Sequence, residues 1–178
     1  MPKSFSRAEA EEFFARLKKH TPEPKTELNY VNPYTLVVAV ALSAQATDKG
    51  VNKATEALFK KVTTPEAMLA LGEEGLIEHI KTIGLYRGKA KNVMAAAKIL
   101  VEQHGGKVPK DREALQALPG VGRKTANVVL GTAFGRNDGV VVDTHVRRLA
   151  GRLGLSTETE PERIERDLMA ALPRPSWT

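Results

Sequence analysis

Leu118-Pro119-Gly120-Val121-Gly122-Arg123-Lys124-Thr125-Ala126 lies between two short stretches of helical periodicity, and its reading decides the fold. Pro119 ends the first stretch because it cannot donate a backbone hydrogen bond and restricts the residue before it. Gly120 and Gly122 allow a tight turn through backbone angles that other residues resist. The segment therefore reads as helix, hairpin, helix over about 112–134. Without side chains at the two glycines, a phosphate can approach the N–H groups of the turn and of the helix that follows. Such a site holds a nucleic-acid backbone without reading its sequence. A glycine pair that merely closes an αα-hairpin is the plainer alternative.

The charge around this segment favours the phosphate reading. The chain of 178 residues carries a formal net charge of +6. From Lys81 to Lys124 there are ten lysines and arginines against three acids, a surplus of seven that exceeds the whole. Acids gather instead at Glu66 to Glu78 and Glu158 to Asp167. A concentrated basic face with acidic flanks suits a polyanion such as DNA. The chain has no cysteine, which excludes disulfides, thiol catalysis and every Cys-ligated metal site within it. Its start, with charges at Lys3, Arg7, Glu9 and Glu11, has no signal-peptide character, and no apolar run is long enough for a membrane span. These features lead to the expectation of a soluble cytoplasmic protein, nucleoid-associated if it binds DNA, with no membrane partner and no metal ligands of its own.

The rest of the chain reads as helices. Ser6 with Glu9 forms a capping box ahead of Phe13, Phe14 and Leu17, and Asn32-Pro33, Thr64-Pro65 and Glu160-Pro161 read as helix starts. The uncharged stretch 33–47 is expected to be a central buried helix. Further helices are expected near 48–61, 66–71, 73–81, 87–103, 112–117, 123–134, 144–154 and 161–171, and Gly139 to Val142 reads as extended. The fold class is all-α.

Two residues have chemical potential. Lys124 falls in the first turn of the helix after the hairpin, where the positive end of the helix dipole disfavours a cation. That field, with any burial, would favour the free amine, a nucleophile toward an electrophilic carbon. By placement alone, the same lysine reads equally well as a phosphate contact. Asp143 ends the apolar run Gly139-Val-Val-Val and precedes an amphipathic helix beginning Thr144-His145. Capping explains such an aspartate, and a rigidly held carboxylate is also what a developing sugar cation requires. His145 reads as a base, a phosphate contact or a packing residue.

Four blocks, Leu42-Ser-Ala-Gln45-Ala-Thr-Asp48, Ile83-Gly-Leu85-Tyr86, Leu118-Pro-Gly-Val-Gly-Arg-Lys124-Thr-Ala-Asn127 and Val142-Asp143-Thr144-His145, together resemble the endonuclease III family. This is a branch of the helix-hairpin-helix DNA glycosylase and AP lyase superfamily, and the resemblance runs from about Thr26 to Arg152 in order and spacing. It implies a two-lobed fold: a helical barrel over 26–136 and a discontinuous second lobe from 1–25 and 137–178, with DNA in the cleft that holds Lys124 and Asp143. It implies a monomeric base-excision repair enzyme that takes duplex DNA with damaged bases or abasic sites. Oxidised pyrimidines would be removed and the strand cut 3′ to the abasic site by β-elimination. Lys124 would attack the sugar C1′ of a flipped nucleotide and form a Schiff base, while Asp143 would stabilise the sugar cation and manage the amine's proton. Gln45 would fill the vacated space and Leu85 would wedge into the stack, with Asp48 near the pocket or capping the next helix. Gly120, Val121, Gly122, Arg123, Thr144 and His145 would contact DNA. Carbonyls of Gln116, Leu118 and Val121 would surround any monovalent cation at the hairpin. On residue type alone, Leu85 would read as core and Gln45 as a polar residue at a helix end.

One departure stands out. The family usually carries a 4Fe-4S cluster on four cysteines in a C-terminal segment, whereas this chain reads Pro173-Arg-Pro-Ser-Trp177-Thr178 and has no cysteine. No cluster is expected on these residues, and the second lobe is expected to be truncated at its C-terminus. A non-catalytic hairpin DNA-binding module, or a sister glycosylase for another lesion, are the alternatives.

Overall fold

The computed structural model describes residues 5–22 and 25–177. Among them are nine α-helices and no β-strand: α1 Arg7–His20, α2 Pro33–Ser43, α3 Asp48–Phe59, α4 Pro65–Ile80, α5 Tyr86–His104, α6 Arg112–Gln116, α7 Arg123–Phe134, α8 Thr144–Arg152 and α9 Pro161–Ala171. A 3₁₀ turn at Arg174–Ser176 follows. The protein is all-α, and no described helix is long and apolar enough to cross a membrane.

Local chemistry sets the helix starts. Ser6 and Glu9 make a reciprocal capping box, with Ser6 N–H donating to Glu9 Oε2 at 2.8 Å and Glu9 N–H to Ser6 Oγ at 3.3 Å. Asn32 and Thr35 do the same for α2, with Pro33 at the first helical position, where its missing N–H costs nothing. Thr64 caps α4 ahead of Pro65, and Asp111 caps α6 through Ala114 N–H at 2.8 Å. The expected break between 66–71 and 73–81 is a kink inside α4 at Gly72, whose φ of 77° interrupts the helical backbone.

One expectation is corrected. Helix α2 stops at Ser43 rather than near 47, because Gln45 turns left-handed with φ 54° and Thr47 leaves the helix to cap α3 through Gly50 N–H. The 139–142 segment, read as extended, belongs to no helix and no strand.

The helices divide into two compact units. The unit Thr26–Phe134 is built on α2, whose residues from Tyr34 to Val40 are all buried, with α3, α5 and α7 packed against it. Helix α4 packs broadly on α5, and α6 on α7. Leu36, Leu42, Leu58, Met68, Leu76, Ile80, Leu100, Leu115, Leu118 and Leu130 fill its core. The other unit joins the described residues of Met1–Lys25 to those of Gly135–Thr178. Its own core gathers Ala10 of α1, Val142, Ala150 of α8, and Ile164 and Leu168 of α9, with Leu172, and α8 packs on α9.

Not all of the basic tract is surface. Lys89, on α5, is buried, and its ammonium has no hydrogen-bond partner among the described residues. Burial pushes its pKa below the usual lysine range. The folded state thus disfavours the charged form, a penalty fully present at neutral pH and relieved as pH rises toward the ordinary lysine value of about 10.4. Lys89→Met is expected to stabilise the protein at pH 7 by about 1–3 kcal/mol. The advantage should shrink toward pH ~10.5. Urea unfolding at both pH values checks this, and a less stable methionine variant at pH 7 would contradict it.

Candidate active site and nucleic-acid interface

The hairpin is anchored from beneath. Leu118 and Val121 are 1% and 5% exposed and belong to the core, and Val121 N–H donates to the Leu118 carbonyl at 3.0 Å. The interaction closes the turn and leaves Gly120 and Gly122 exposed on the outer side. Only Gly120 uses the left-handed backbone, at φ 81°; Gly122 lies outside that region and has open space around it. Gly122 therefore serves access rather than turn geometry. Among the described residues, the N–H groups of Gly122, Lys124 and Thr125 donate to nothing, so the start of α7 presents unpaired donors and the positive end of its dipole. Val121 faces inward with its amide already used, so its carbonyl is what it can offer a ligand. The Leu118 carbonyl is partly engaged by the same bond.

Lys124 is the second residue of α7 and is exposed, with no hydrogen bond or ion pair among the described residues. Its amine is free to reach an external electrophile. Arg123 beside it is half-buried.

In the other unit, Asp143 is the N-cap of α8. Its Oδ1 accepts from His145 N–H at 2.9 Å and Val146 N–H at 2.8 Å. Oδ2 has no partner among the described residues. One oxygen locks the side chain in place and the other remains for chemistry, so capping and electrostatic stabilisation are both open to this carboxylate. Thr144 and His145 are exposed at the start of α8, with His145 Nδ1 3.4 Å from Arg148 Nη2.

Gln45 and Leu85 share a property that their residue types do not predict. They are the two non-glycine residues with positive φ among the described residues, at 54° and 59°. Leu85 is 69% exposed, so the reading of it as core fails. It stands as the N-cap residue of α5 without a side-chain cap bond. Holding two L-residues left-handed costs on the order of 1 kcal/mol each, and such strain collects at ligand sites. Asp48 is the first residue of α3, and it is Thr47 that caps this helix.

Sequence reasoning missed Asn92. It is exposed on α5, and an ideal Cβ on Gly120 would lie 3.2 Å from its Cβ and 3.4 Å from its amide nitrogen. No sequence signal brings α5 to the hairpin.

The residues present do not fit a thiolate-held cluster: the chain has no cysteine, and no group of three or more His, Asp and Glu suited to a metal occurs among the described residues. The 4Fe-4S group that the resemblance associates with the family therefore has no ligands here.

The sequence profile of the HhH-GPD superfamily base excision DNA repair proteins matches residues 38–174. The chain belongs to this superfamily. It is 51% identical over 168 residues to endonuclease III of Escherichia coli K12, covering 94% of this chain and 79% of that protein. It is 53% identical over 161 residues to endonuclease III of Treponema pallidum, covering 90% and 76%. Among solved structures, a trapped endonuclease III–DNA covalent intermediate superposes with a TM-score of 0.90 at 41% identity, over 97% of this chain and 81% of that one. A thermostable thymine-DNA glycosylase superposes at 0.80 with 25% identity, over 91% and 77%. The all-α helix-hairpin-helix glycosylase fold that the resemblance implied is thereby shown.

The two glycines should separate experimentally. Gly120→Ala forces a left-handed alanine against Asn92 and is expected to lower stability by about 1–2 kcal/mol. Gly122→Ala has room and an ordinary backbone, so its stability should change by less than about 0.5 kcal/mol. Its methyl group would still stand where a phosphate approaches, so binding to intact duplex should weaken. Chemical denaturation and duplex titration of both variants check the pair.

Proposed function

We propose that this base-excision repair DNA glycosylase and AP lyase removes oxidised pyrimidines from duplex DNA and cuts the strand through a lysine Schiff base. One observation carries the reading. An exposed amine at Lys124, with no partner among the described residues, stands in the first turn of the helix that follows a glycine hairpin with unused backbone donors, in a chain of the base-excision superfamily.

The chemistry balances as follows. The neutral Lys124 amine forms a bond to C1′ as the glycosidic C1′–N bond breaks, and the departing base leaves with the bonding pair and takes up a proton. A proton passes from the bound amine to O4′ as the C1′–O4′ bond breaks, so the sugar ring opens to a 4′-hydroxyl and an iminium links Nζ to C1′. Loss of the C2′ proton sends electrons toward the iminium and expels the 3′ phosphate from C3′, which is β-elimination. Water then releases the amine. Asp143, fixed through Oδ1, supplies the negative charge that the sugar cation requires. Gln45 and Leu85 hold the emptied stack open, since an exposed apolar side chain on a rigid left-handed backbone suits a wedge and an amide can pair with an orphaned base. Gly120, Gly122, Arg123, Thr144 and His145 contact the backbone, and Val121 does so through its carbonyl. The protein acts as a monomer at the chromosome.

Borohydride trapping on a duplex with one thymine glycol tests the assignment. The parent chain should form a covalent adduct, and Lys124→Gln should bind the duplex without trapping or cleaving. Cleavage undiminished in that variant would remove Lys124 as nucleophile. Asp143→Asn keeps a good N-cap residue, so its stability should hold within about 1 kcal/mol. Its turnover should fall by about 10²-fold or more. Parent-like turnover would leave Asp143 with capping alone. Equal affinity for damaged and intact duplexes, without cleavage of either, would favour a hairpin that only binds.

A further inference from the structure

Helix α5 brings beside the hairpin an amide that no described residue uses. Asn92 projects from α5 so close to Gly120 that a Cβ on that glycine would meet it, at 3.2 Å from the Asn92 Cβ and 3.4 Å from Nδ2. Its side chain is exposed and makes no hydrogen bond among the described residues. An asparagine with a purely structural role in a loop would ordinarily spend its amide on a neighbouring carbonyl or N–H group. This one instead stands beside Gly120, in the same turn whose following residues Gly122, Lys124 and Thr125 have unused amides.

The surroundings select the kind of ligand. Lys91 is exposed beside Asn92, with no partner among the described residues. Gly88 and Ala95, one turn before and one turn after Asn92 on the same face, are small and exposed. A Cβ on Gly88 would meet nothing within 4 Å. No acid occurs in α5 before Glu102, which lies 3.8 Å from Lys98. The face is therefore positively charged, free of acids and low in relief, and it adjoins a set of unpaired backbone donors.

We propose that Asn92 is a DNA-contacting residue, its amide nitrogen donating to the backbone phosphate held by the hairpin amides, with the Gly88–Asn92 face of α5 extending the phosphate track away from the hairpin. The inference rests on the DNA-binding part of the proposed function and is independent of the lyase chemistry. Asn92 reads no base and sets the register of the strand against Lys124.

The test is binding of an intact duplex by the full chain, with three substitutions. Asn92→Ala should weaken binding about five- to twentyfold, as for loss of a hydrogen bond to a charged group. Asn92→Asp, the same shape with a negative charge, should weaken it by a further tenfold or so at low salt, with the gap between the two closing as salt screens the repulsion. Gly88→Asp has open space and places an acid in the first turn of α5, which favours the helix. It should fold at least as well as the parent and still bind several-fold more weakly at low salt.

Melting temperatures separate contact from packing. A residue that only supported the hairpin would give equal losses for Ala and Asp, independent of salt and accompanied by lower melting temperatures. That pattern overturns the proposal, as does affinity within twofold of the parent for both Asn92 variants. A parent that binds duplex without forming the trapped adduct would remove the lyase reading and leave the Asn92 result to stand. A parent with no salt-sensitive duplex binding would overturn both.

Discussion

The seating of Leu118 and Val121 in the core is the constraint on which the remaining geometry depends. With both side chains buried and Val121 N–H closed onto the Leu118 carbonyl, the turn cannot rotate its apolar side outward. The donors of the first turn of α7 are thereby directed at solvent, where any ligand must meet them. Burial contributes about 1.5–3 kcal/mol for each such side chain, far more than a surface ion pair. The position of Lys124 is thus set by apolar packing, and its charge plays little part in holding it there. An exposed lysine with no partner among the described residues gains little from its site, which leaves its amine accessible.

The second unit solves the same problem by other means. Asp143 is held by two backbone N–H donors on one oxygen, with Val142 packed beneath it in a separate core. A carboxylate fixed in this way needs no reorganisation when positive charge develops nearby, and this is where electrostatic stabilisation gains over water. Lys124 and Asp143 are each positioned by a local device: buried leucine and valine in one unit, a helix cap in the other.

Much of this was legible in the sequence, because the signals were local. Capping pairs and helix-start prolines placed α1, α2, α4 and α9, and the glycines of the hairpin placed the turn. What failed was non-local or depended on backbone that side-chain types do not announce. Lys89 was counted with the basic surface, yet tertiary packing encloses it. The apolar pattern of α2 continues past Ser43, but Gln45 adopts a left-handed backbone that hydrophobicity cannot reveal. Asn92 had no signal at all, since its proximity to Gly120 exists only once α5 is placed. Leu85 is the reverse case: residue type argued for burial, the motif argued for exposure, and the structure leaves it 69% exposed.

The left-handed pair explains why a motif outperformed composition there. A leucine on the surface forfeits its hydrophobic contribution, and one at φ 59° adds backbone strain to the loss. Glycine would have removed the strain at both Gln45 and Leu85, so folding by itself does not account for the residues found. What glycine cannot supply is a rigid side chain. Both side chains sit next to a helix end, and both are exposed. Strain of about 2 kcal/mol over the two positions is a cost of the same order as the gain from burying one large apolar side chain. The fold accepts a standing local penalty at two exposed positions, Gln45 and Leu85.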